Sequence, residues 1–598
     1  MARDDMKELL KTASKDKWRR IGLKKRSGVL VPLFSVYSKD SVGIGDLGDI
    51  KLLVDWCAGT GNSILQLLPM NETGPTSCPY DALSSFALEP AYISLKKVPA
   101  SGEKSVKASV AGLKKRFPLA SGRVDYSIKS EKLKVLKEIY RLEGDPGSKE
   151  FADFKRENAY WLEDFCLFRV LKDLHGGKPW YEWDGKYKDR SREALDIFRA
   201  EREEDVAFLA WVQWKLWSQF RDAKRYAADK GILIKGDLPI LISRDSADVW
   251  SRREFFRLEY AAGAPPDVYC AKGQRWGVPT YNWERIAADG YRYIKEKLRY
   301  AENFYDILRI DHVVGLFRIW SIPYDEPAES EGLKGFFDPG DERVWEEHGR
   351  NILSVMDGST SVLLCAEDLG VIPKACPEVL KKMGMPGNEV QRWVKDWKTK
   401  HDFLKPSEYR FLSVAMLSTH DTTNWAAWWE NEAGTIDEML FMRKCADRGI
   451  DGNSAKEKLF LACSSGHGRL RWRDEVDSTE YLVNVLGKKK EELADFIDLY
   501  ENSYGEKKKL WKHLKLKGAM RERPDREIVK AALGITGRSR SIFRIELITD
   551  LLYAGGILEG DPYQYRINTP GTVSANNWSL IMPVSLERLL EKVKKTGF

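Results

Sequence analysis

The sequence has no run of about 18 apolar residues, so no transmembrane helix is expected. Only 8 of its 598 residues are cysteine and 7 are histidine. No Cys-x-x-Cys or His-x-x-x-His pair occurs, which gives a metal or redox motif no support. The scattered cysteines are expected to be free thiols in a reducing cytosol. The first residues lack a hydrophobic signal core, which also predicts a cytoplasmic location.

The excess of positive over negative charge is also small. There are 97 Lys and Arg residues and 90 Asp and Glu residues, so the net charge is only +7. Basic and acidic residues alternate along the chain, whereas nucleic-acid-binding proteins usually concentrate basic charge on one face. No nucleic-acid partner is therefore expected. Apolar residues are plentiful at 43%, enough to bury a large core. Aromatic residues, at 11%, suit sugar rings but also fill cores, so composition alone does not choose between these uses.

Short apolar runs predict strands that are buried on both faces of a parallel sheet. Seven runs have this pattern, at residues 29–35, 63–69, 232–237, 307–311, 361–367, 414–420 and 542–548. A weaker eighth run, at residues 388–393, is the candidate for the sixth strand. Helical stretches such as 47–57 and 283–299 separate most of the runs. The pattern predicts an α/β fold, a (β/α)8 TIM barrel.

Two spans are too long for simple barrel connections. Residues 95–225 begin basic and loop-like and then become helical and tryptophan-rich. Residues 424–535 are rich in Lys and Glu, and their segment 487–516 is expected to form exposed helices. Both spans are predicted to be inserted helical subdomains, between strands 2 and 3 and between strands 7 and 8. The catalytic barrel is predicted at residues 29–598, after an N-terminal extension of residues 1–28.

Three carboxylates lie at or just past predicted strand ends: Asp311, Glu367 and Asp421. The carboxyl ends of barrel strands share one face, so the three acids are expected to converge there. A single acid at a strand end is often a cap or an ion-pair partner. Three together favour an active site with nucleophile and general-acid roles.

The neighbours of these acids refine the hypothesis. Arg309 should face the same side of its strand as Asp311 and hold that carboxylate ionised. The apolar segment 362–366 before Glu367 should raise its pKa, as a general acid requires. The adjacent Asp368 is a competitor, but its side chain is expected to point the other way. His312 and His420 each adjoin an acid and could bind sugar hydroxyls, although either could be an ordinary rim residue.

Many ordered motifs are similar to those of the 4-α-glucanotransferases, the amylomaltases or disproportionating enzymes of glycoside hydrolase family 77. The similarity runs from about residue 28 to the end. The motifs are GIGDLG (43–48), PY (79–80), GDLPI (236–240), GQRWG (273–277), RIDH (309–312), AEDLG (366–370), THDT (419–422) and RINTPGT (566–572).

The resemblance implies a role for each matching residue. It makes Asp311 the nucleophile, Glu367 the general acid/base and Asp421 the acid that stabilises the transition state. The substrate-binding candidates that it implies are Arg309, His312, His420, Asp237 (a support for the arginine), Tyr80 (the donor-side wall), Trp276 (a flexible lid over the acceptor side) and Asn568.

The resemblance also implies an activity. The expected reaction is a retaining double displacement that passes an α-1,4-glucan segment from a maltooligosaccharide donor to a sugar acceptor, without metal or cofactor. After His312, the segment VVGL (313–316) replaces the family's usual Phe-Arg-Gly-Phe, so acceptor preference is expected to differ. The loop 70–78 resembles that of the plant-type cytosolic enzymes, which leaves the preference for maltose open. The alternatives are an α-1,4-glucan hydrolase with the same acids, or a non-catalytic glycan-binding protein. No oligomeric state is predicted.

Overall fold

The computed structural model describes residues 2–98, 100–143, 147–266, 272–461 and 468–596. Eight parallel strands form its central sheet, in the spatial order 5-4-3-2-1-8-7-6. Strands 5 and 6 approach each other at the two ends of this order, where the Ala366 amide donates to the Pro386 carbonyl at 2.8 Å. The sheet therefore closes nearly into a barrel, as the sequence predicted. The strands are Arg26–Val31, Ile64–Leu67, Leu233–Leu238, Ile307–Ile310, Leu363–Ala366, Gly387–Val390, Ser413–Met416 and Phe543–Leu547.

The predicted strand bounds differ most from the observed ones at strands 1, 6 and 7, and the seventh strand ends at Met416, four residues before the end of its predicted run. The first strand begins at Arg26, and the apolar segment Leu33–Ser35 is a 3-10 helix because Pro32 ends the strand. The sixth strand ends at Val390, so residues 391–393 of the predicted run lie in a 3-10 helix instead.

Helices surround the barrel and cover its amino-terminal end. Two of them precede the first strand, and the side chain of Trp18 in the second is buried against Phe543, with ring centroids 5.6 Å apart. The predicted helix over residues 283–299 is two helices, because Gly290 and Tyr291 both have positive φ and break it. The helices outside the two long connections are Ala2–Leu9, Lys15–Ile21, Ile50–Gly59, Ala247–Ser251, Trp283–Ala288, Arg292–Ala301, Trp345–Gly358, Cys376–Met383, Ile548–Ala554 and Leu586–Thr596.

Among its described residues, the connection between strands 2 and 3 begins irregularly, with only the short 3-10 helices Pro90–Tyr92 and Leu95–Lys97 before Lys104. An amphipathic helix then starts at Lys104 and buries Val106 and Leu113. Its buried side chains join the same hydrophobic core as the barrel strands. The helices are Lys104–Arg116, Ile128–Glu143, Lys149–Glu157, Leu162–Leu174, Gly185–Lys188, Arg192–Glu201 and Glu203–Asp229.

The connection between strands 7 and 8 forms cores of its own. Residues of this span from Ile436 to Tyr500 pack into a hydrophobic cluster separate from the barrel core. The segment 487–516 is not simply exposed, since its helices bury Phe496, Tyr500 and Leu510. The helices of this span are Trp425–Ala427, a π-helix at Trp428–Glu432, Glu438–Asp447, Gly452–Leu459, Thr479–Leu486, Ala494–Ser503, Glu506–Leu514 and Arg526–Gly537, and its strands are Thr435–Asp437 and Arg469–Arg471.

A small antiparallel sheet, which the sequence did not predict, lies beyond the carboxyl ends of strands 3 and 4. Its order is Phe336–Asp338, Ile319–Pro323, Tyr260–Ala264 and Gln274–Arg275. Trp276 follows directly after its last strand, so this sheet positions the tryptophan beside the barrel face. Short two-stranded ladders pair Phe256–Arg257 with Thr280–Tyr281 and Lys395–Asp396 with Asp402–Phe403.

Within the described residues, no helix is long and apolar enough to span a bilayer. The six cysteines in those ranges are all free thiols. Cys270 and Cys463 lie outside the described residues.

Candidate active site

The three candidate acids lie at the carboxyl ends of the fourth, fifth and seventh strands. Asp311 directly follows Ile310, Glu367 directly follows Ala366, and Asp421 lies in the turn after the strand that ends at Met416. Backbone hydrogen bonds continue the ladder past the strand ends, from Asp311 to Leu238 and from Glu367 to Ile310, both at 3.0 Å. The first two acids are therefore held by the barrel framework rather than by free loops.

Arg309 connects these carboxylates. Its Nη1 donates to both carboxylate oxygens of Asp237, at 2.7 and 2.8 Å. Its Nη2 lies 2.9 Å from Asp311 Oδ1 and 3.9 Å from Glu367 Oε2. Because these two oxygens share one nitrogen, they are at most about 6.8 Å apart, the sum of the two distances. Retaining glycosidases have carboxyl groups about 5–5.5 Å apart, and inverting ones about 6.5–9.5 Å. An upper limit of about 6.8 Å on this oxygen–oxygen separation lies at the lower end of the range found in inverting enzymes.

The pKa of Asp311 is higher than the proximity of Arg309 led us to expect. Burial raises its pKa to about 6, although Arg309 acts in the opposite direction. Asp237 and Asp421 add to the increase, because their negative charges disfavour a further one nearby. Asp311 is thus still mainly ionised at neutral pH, with Arg309 limiting the effect of burial rather than reversing it.

Glu367 is the weaker acid of the two. Burial raises its pKa to about 7, and the charge of Asp311 raises it further against the opposing effect of Arg309. Its oxygens accept hydrogen bonds from the amides of His312, at 2.8 Å, and Leu369, at 3.1 Å. Asp368 points away from the site, because its carboxylate pairs with Arg410 at 2.6 Å. Glu367 can therefore carry a proton near neutral pH while its position stays fixed.

Asp421 is held as an anion. Its Oδ1 accepts a hydrogen bond from Asn568 Nδ2 at 2.7 Å, and its Oδ2 lies 3.1 Å from His420 Nε2. Burial alone would raise the pKa of Asp421, but His420, Asn568 and Arg309 outweigh it and lower the pKa to about 2. The same contact raises the pKa of His420 against its own burial. Asp421 thus supplies a negative charge at any pH near neutrality.

Tyr80 connects the two halves of the site. Its hydroxyl donates to Asp237 Oδ2 at 2.9 Å and lies 2.9 Å from His420 Nε2. Its ring stacks on the His420 ring with centroids 5.3 Å apart, and Trp578 packs against both rings at 5.8 and 5.9 Å. Trp578 was not among the predicted site residues, although it lies next to the quoted RINTPGT motif. Its backbone has a φ of 59°, which places the ring beside Tyr80.

His312 and Trp276 form the opposite wall. The indole of Trp276 meets the His312 ring edge-on, with centroids 4.8 Å apart, and is 37% exposed. Burial and the charges of Arg309 and Arg318 lower the pKa of His312 to about 4, so its imidazole is neutral. The segment VVGL after His312 is a buried 3-10 helix, so its substituted side chains pack below the surface.

The structure brings all ten predicted site residues into one connected group. The contacts run from Asn568 through Asp421, His420, Tyr80, Asp237 and Arg309 to Asp311 and Glu367, and then to His312 and Trp276. Over the ranges that the structure describes, no cluster of three or more His, Cys, Asp or Glu side chains is arranged to hold a metal ion.

The strand ends of this barrel present two buried carboxyl groups of unequal acidity, and a third acid lies beside them. This arrangement is the site of an enzyme that acts on glycosidic bonds. Residues 31–585 match the 4-alpha-glucanotransferase family, and the chain belongs to that family. The resemblance found in the motifs is confirmed.

Curated relatives agree with this assignment along almost the whole chain. A 4-alpha-glucanotransferase of Chlamydia pneumoniae is 32% identical over 587 residues, which cover 97% of this chain and 96% of the relative. The 4-alpha-glucanotransferase of Thermus thermophilus is 34% identical over 430 residues, covering 69% of this chain and 82% of the relative. Among solved structures, the amylomaltase from Streptococcus agalactiae in complex with acarbose superposes with a TM-score of 0.67 at 23% identity. It covers 96% of this chain and 99% of its own, and it supports the barrel fold.

Proposed function

We propose that this 4-alpha-glucanotransferase moves α-1,4-glucan segments between maltooligosaccharides through a covalent glucosyl ester on Asp311. The observation that carries the proposal is the shared contact of Asp311 and Glu367 with one nitrogen of Arg309. That contact limits the separation of Asp311 Oδ1 and Glu367 Oε2 to at most about 6.8 Å, which is compatible with a retaining displacement. Burial raises the pKa of Glu367 to about 7 and that of Asp311 to about 6, which supports Asp311 as the nucleophile and Glu367 as the acid.

In the first step, Asp311 attacks the anomeric carbon of the donor. Its Oδ1 is engaged by Arg309, which leaves Oδ2 to form the new C–O bond. Glu367 gives its proton to the glycosidic oxygen as that bond breaks, and the leaving chain departs with a free 4-hydroxyl. Positive charge on the sugar in the transition state is stabilised by the anion of Asp421.

In the second step, Glu367 acts as the base. It takes the proton from the 4-hydroxyl of an acceptor sugar, whose oxygen attacks the anomeric carbon and releases Asp311. The α-configuration is restored because the carbon has been inverted twice. If water took the acceptor's place, the same acids would give hydrolysis. Trp276 and the aromatic wall around Tyr80 favour a sugar by covering the site.

The proposed partners are a maltooligosaccharide or longer α-1,4-glucan donor and a sugar acceptor. We also propose a cytoplasmic location, for which the support is that the six described cysteines are all free thiols.

The ester is tested directly with Glu367→Gln and α-maltotriosyl fluoride. Fluoride leaves without a proton, so the variant should still form the ester. Without its base, the variant should then deglycosylate slowly, and intact-mass spectrometry should show one maltotriosyl unit on the protein. Asp311→Asn is the matched control and should gain no mass. An adduct on Asp311→Asn, or none on Glu367→Gln, would refute Asp311 as nucleophile.

A further inference from the structure

Exposed tyrosine and arginine side chains form a connected group that reaches Arg275, the residue before Trp276. We define the aromatic strip as Tyr181, Arg244, Arg275, Trp276 and Tyr324. Three of these are exposed aromatics: Tyr181 at 38%, Tyr324 at 41% and Trp276 at 37%. Large aromatic side chains with this exposure are commonly binding surfaces, particularly when several adjoin a functional site.

The strip draws on four separate segments. Tyr181 belongs to the long connection between strands 2 and 3, and Arg244 to the loop after strand 3. Arg275 and Trp276 end the small antiparallel sheet, and Tyr324 directly follows the strand Ile319–Pro323 of that sheet. Each of these segments lies in a connection that leaves the carboxyl end of a barrel strand. We therefore expect the strip to adjoin the active-site face.

Guanidinium groups alternate with the rings. The guanidinium carbon of Arg244 lies 3.8 Å from the Tyr324 ring centroid and 5.6 Å from that of Tyr181. The guanidinium carbon of Arg275 lies 5.6 Å from the Tyr324 centroid. The two tyrosines are thus joined through Arg244, and Arg275, which contacts Tyr324, is the residue before Trp276 in the chain. Such cation–π contacts hold exposed rings in fixed orientations.

Backbone contacts fix the arginines in turn. Arg275 Nη1 donates to the carbonyl of Glu326 at 2.6 Å, and its Nη2 donates to that of Tyr324 at 2.7 Å. Arg244 Nη1 donates to the carbonyl of Leu258 at 2.5 Å. The indole of the buried Trp180, next to Tyr181, donates to the Arg244 carbonyl at 2.8 Å. A surface that is already ordered loses little conformational entropy when it binds a ligand.

We propose that the aromatic strip is a glucan-binding surface that holds the distal sugars of long α-glucans on the Trp276 side of the active site. The inference rests on the proposed function, because it needs a glucan chain to emerge past Trp276. The C–H faces of glucose rings stack on exposed aromatic rings, and the hydroxyls at the ring edges can bind the remaining N–H groups. A neutral ligand fits better than a phosphate, since three guanidinium nitrogens of Arg244 and Arg275 already donate to carbonyls.

The test compares long and short substrates with the double variant Tyr181→Ala/Tyr324→Ala. Its KM for maltoheptaose should rise about 5- to 30-fold, because two stacking contacts are lost. Its kcat and its KM for maltotriose should stay within about twofold of wild type, since a short chain does not reach the strip. The variant Tyr181→Phe/Tyr324→Phe keeps both rings and should retain the wild-type KM for maltoheptaose. Tyr481→Ala, which removes a tyrosine of 37% exposure in the separate Ile436–Tyr500 region, is the matched control.

A second measurement separates the strip from catalysis. Maltoheptaose binding is measured by calorimetry in the Asp311→Asn background, with and without the two alanine substitutions. Weaker binding only with the alanines supports the strip, even if wild type were found to hydrolyse rather than transfer. Equal affinities, or an equal rise of KM for maltotriose and maltoheptaose, would overturn the strip and leave the proposed mechanism untouched. Inhibition by inorganic phosphate that the alanines remove would instead identify an anion site and would also overturn it.

Discussion

At the residue scale, Arg309 controls the charges of the site. One guanidinium lies within 4 Å of three carboxylates, those of Asp237, Asp311 and Glu367. Asp237 takes both hydrogen bonds of Nη1 and so fixes the plane of the group. Asp311 and Glu367 share only Nη2, so burial dominates and both pKa values stay above their usual range.

This arrangement predicts that Asp311→Asn is more stable than wild type at neutral pH. The pKa of Asp311 is raised from 3.8 to about 6 in the folded protein. The protonated form therefore favours the fold, and that stabilisation is lost as pH rises through 6. Removing the titration should raise the free energy of unfolding by about 3 kcal/mol at pH 7.5 and by less than about 1 kcal/mol near pH 4. Urea unfolding at both pH values measures the difference.

Asp237→Asn is the contrasting control for this stability prediction. It removes one partner of a buried ion pair with Arg309 and should cost about 3 kcal/mol at pH 7.5. A loss of stability in Asp311→Asn at pH 7.5 would show that Arg309 outweighs burial, and would contradict the account of the site's charges.

At the element scale, the helix Lys15–Ile21 covers the amino-terminal end of the barrel. Trp18 stacks on Phe543 at the start of strand 8, and its indole donates to the Gly384 carbonyl before strand 6, at 2.9 Å. Lys17 makes a buried ion pair with Asp357 at the end of the helix Trp345–Gly358. The N-terminal residues thus pack on the face opposite the active site, where side chains serve stability.

Trp18→Ala is predicted to lower stability without changing the chemistry. Deleting a fully buried tryptophan leaves a cavity and should cost about 3–5 kcal/mol. The denaturant midpoint should fall accordingly, while kcat on maltotriose at 25 °C should remain within about twofold of wild type. Trp18→Phe, which keeps an aromatic ring against Phe543, should lose less. A stability equal to wild type would mean that the N-terminal helices are dispensable to the barrel.

Most of the barrel could be predicted from the sequence because its strands are buried on both faces and therefore nearly continuously apolar. The sixth strand was weak for a physical reason: it contains the polar residues Asn388 and Glu389, and the Glu389 carboxylate accepts a hydrogen bond from Arg410. The small antiparallel sheet was missed because its strands are short and pair within long connections. The length of the first strand was misjudged because its apolar run continues beyond Pro32 into a 3-10 helix.

The candidate acids were predictable because parallel strands bring their carboxyl ends to one face. The contacts that link these acids to the other site residues could not be predicted in the same way. Tyr80 bonds to Asp237 and His420, which lie 157 and 340 residues further along the chain, and no local pattern encodes such contacts. Trp578 joins Tyr80 through a left-handed backbone conformation, which non-glycine residues rarely adopt. The pKa of Asp311 depended on the balance of burial against Arg309, which only the folded structure defines.

At the scale of the whole molecule, the two long connections are built differently. The connection between strands 2 and 3 shares the barrel's hydrophobic core and contributes the exposed Tyr181 to the proposed aromatic strip. The residues from Ile436 to Tyr500 have a core of their own. Their boundaries as subdomains, at 95–225 and 424–535, stay a prediction. The barrel provides the three acids, and in the proposed mechanism the connections determine which molecule reaches the glucosyl ester.

The central claim is that a sugar, and not water, reaches that ester. It is tested most directly by incubating the protein with maltotriose and following products and reducing ends over time. The account predicts a ladder of longer maltooligosaccharides together with glucose, with constant reducing ends, and no ladder with Asp311→Asn. A steady rise in reducing ends with only shorter products would contradict it, because the same three acids would then be serving hydrolysis.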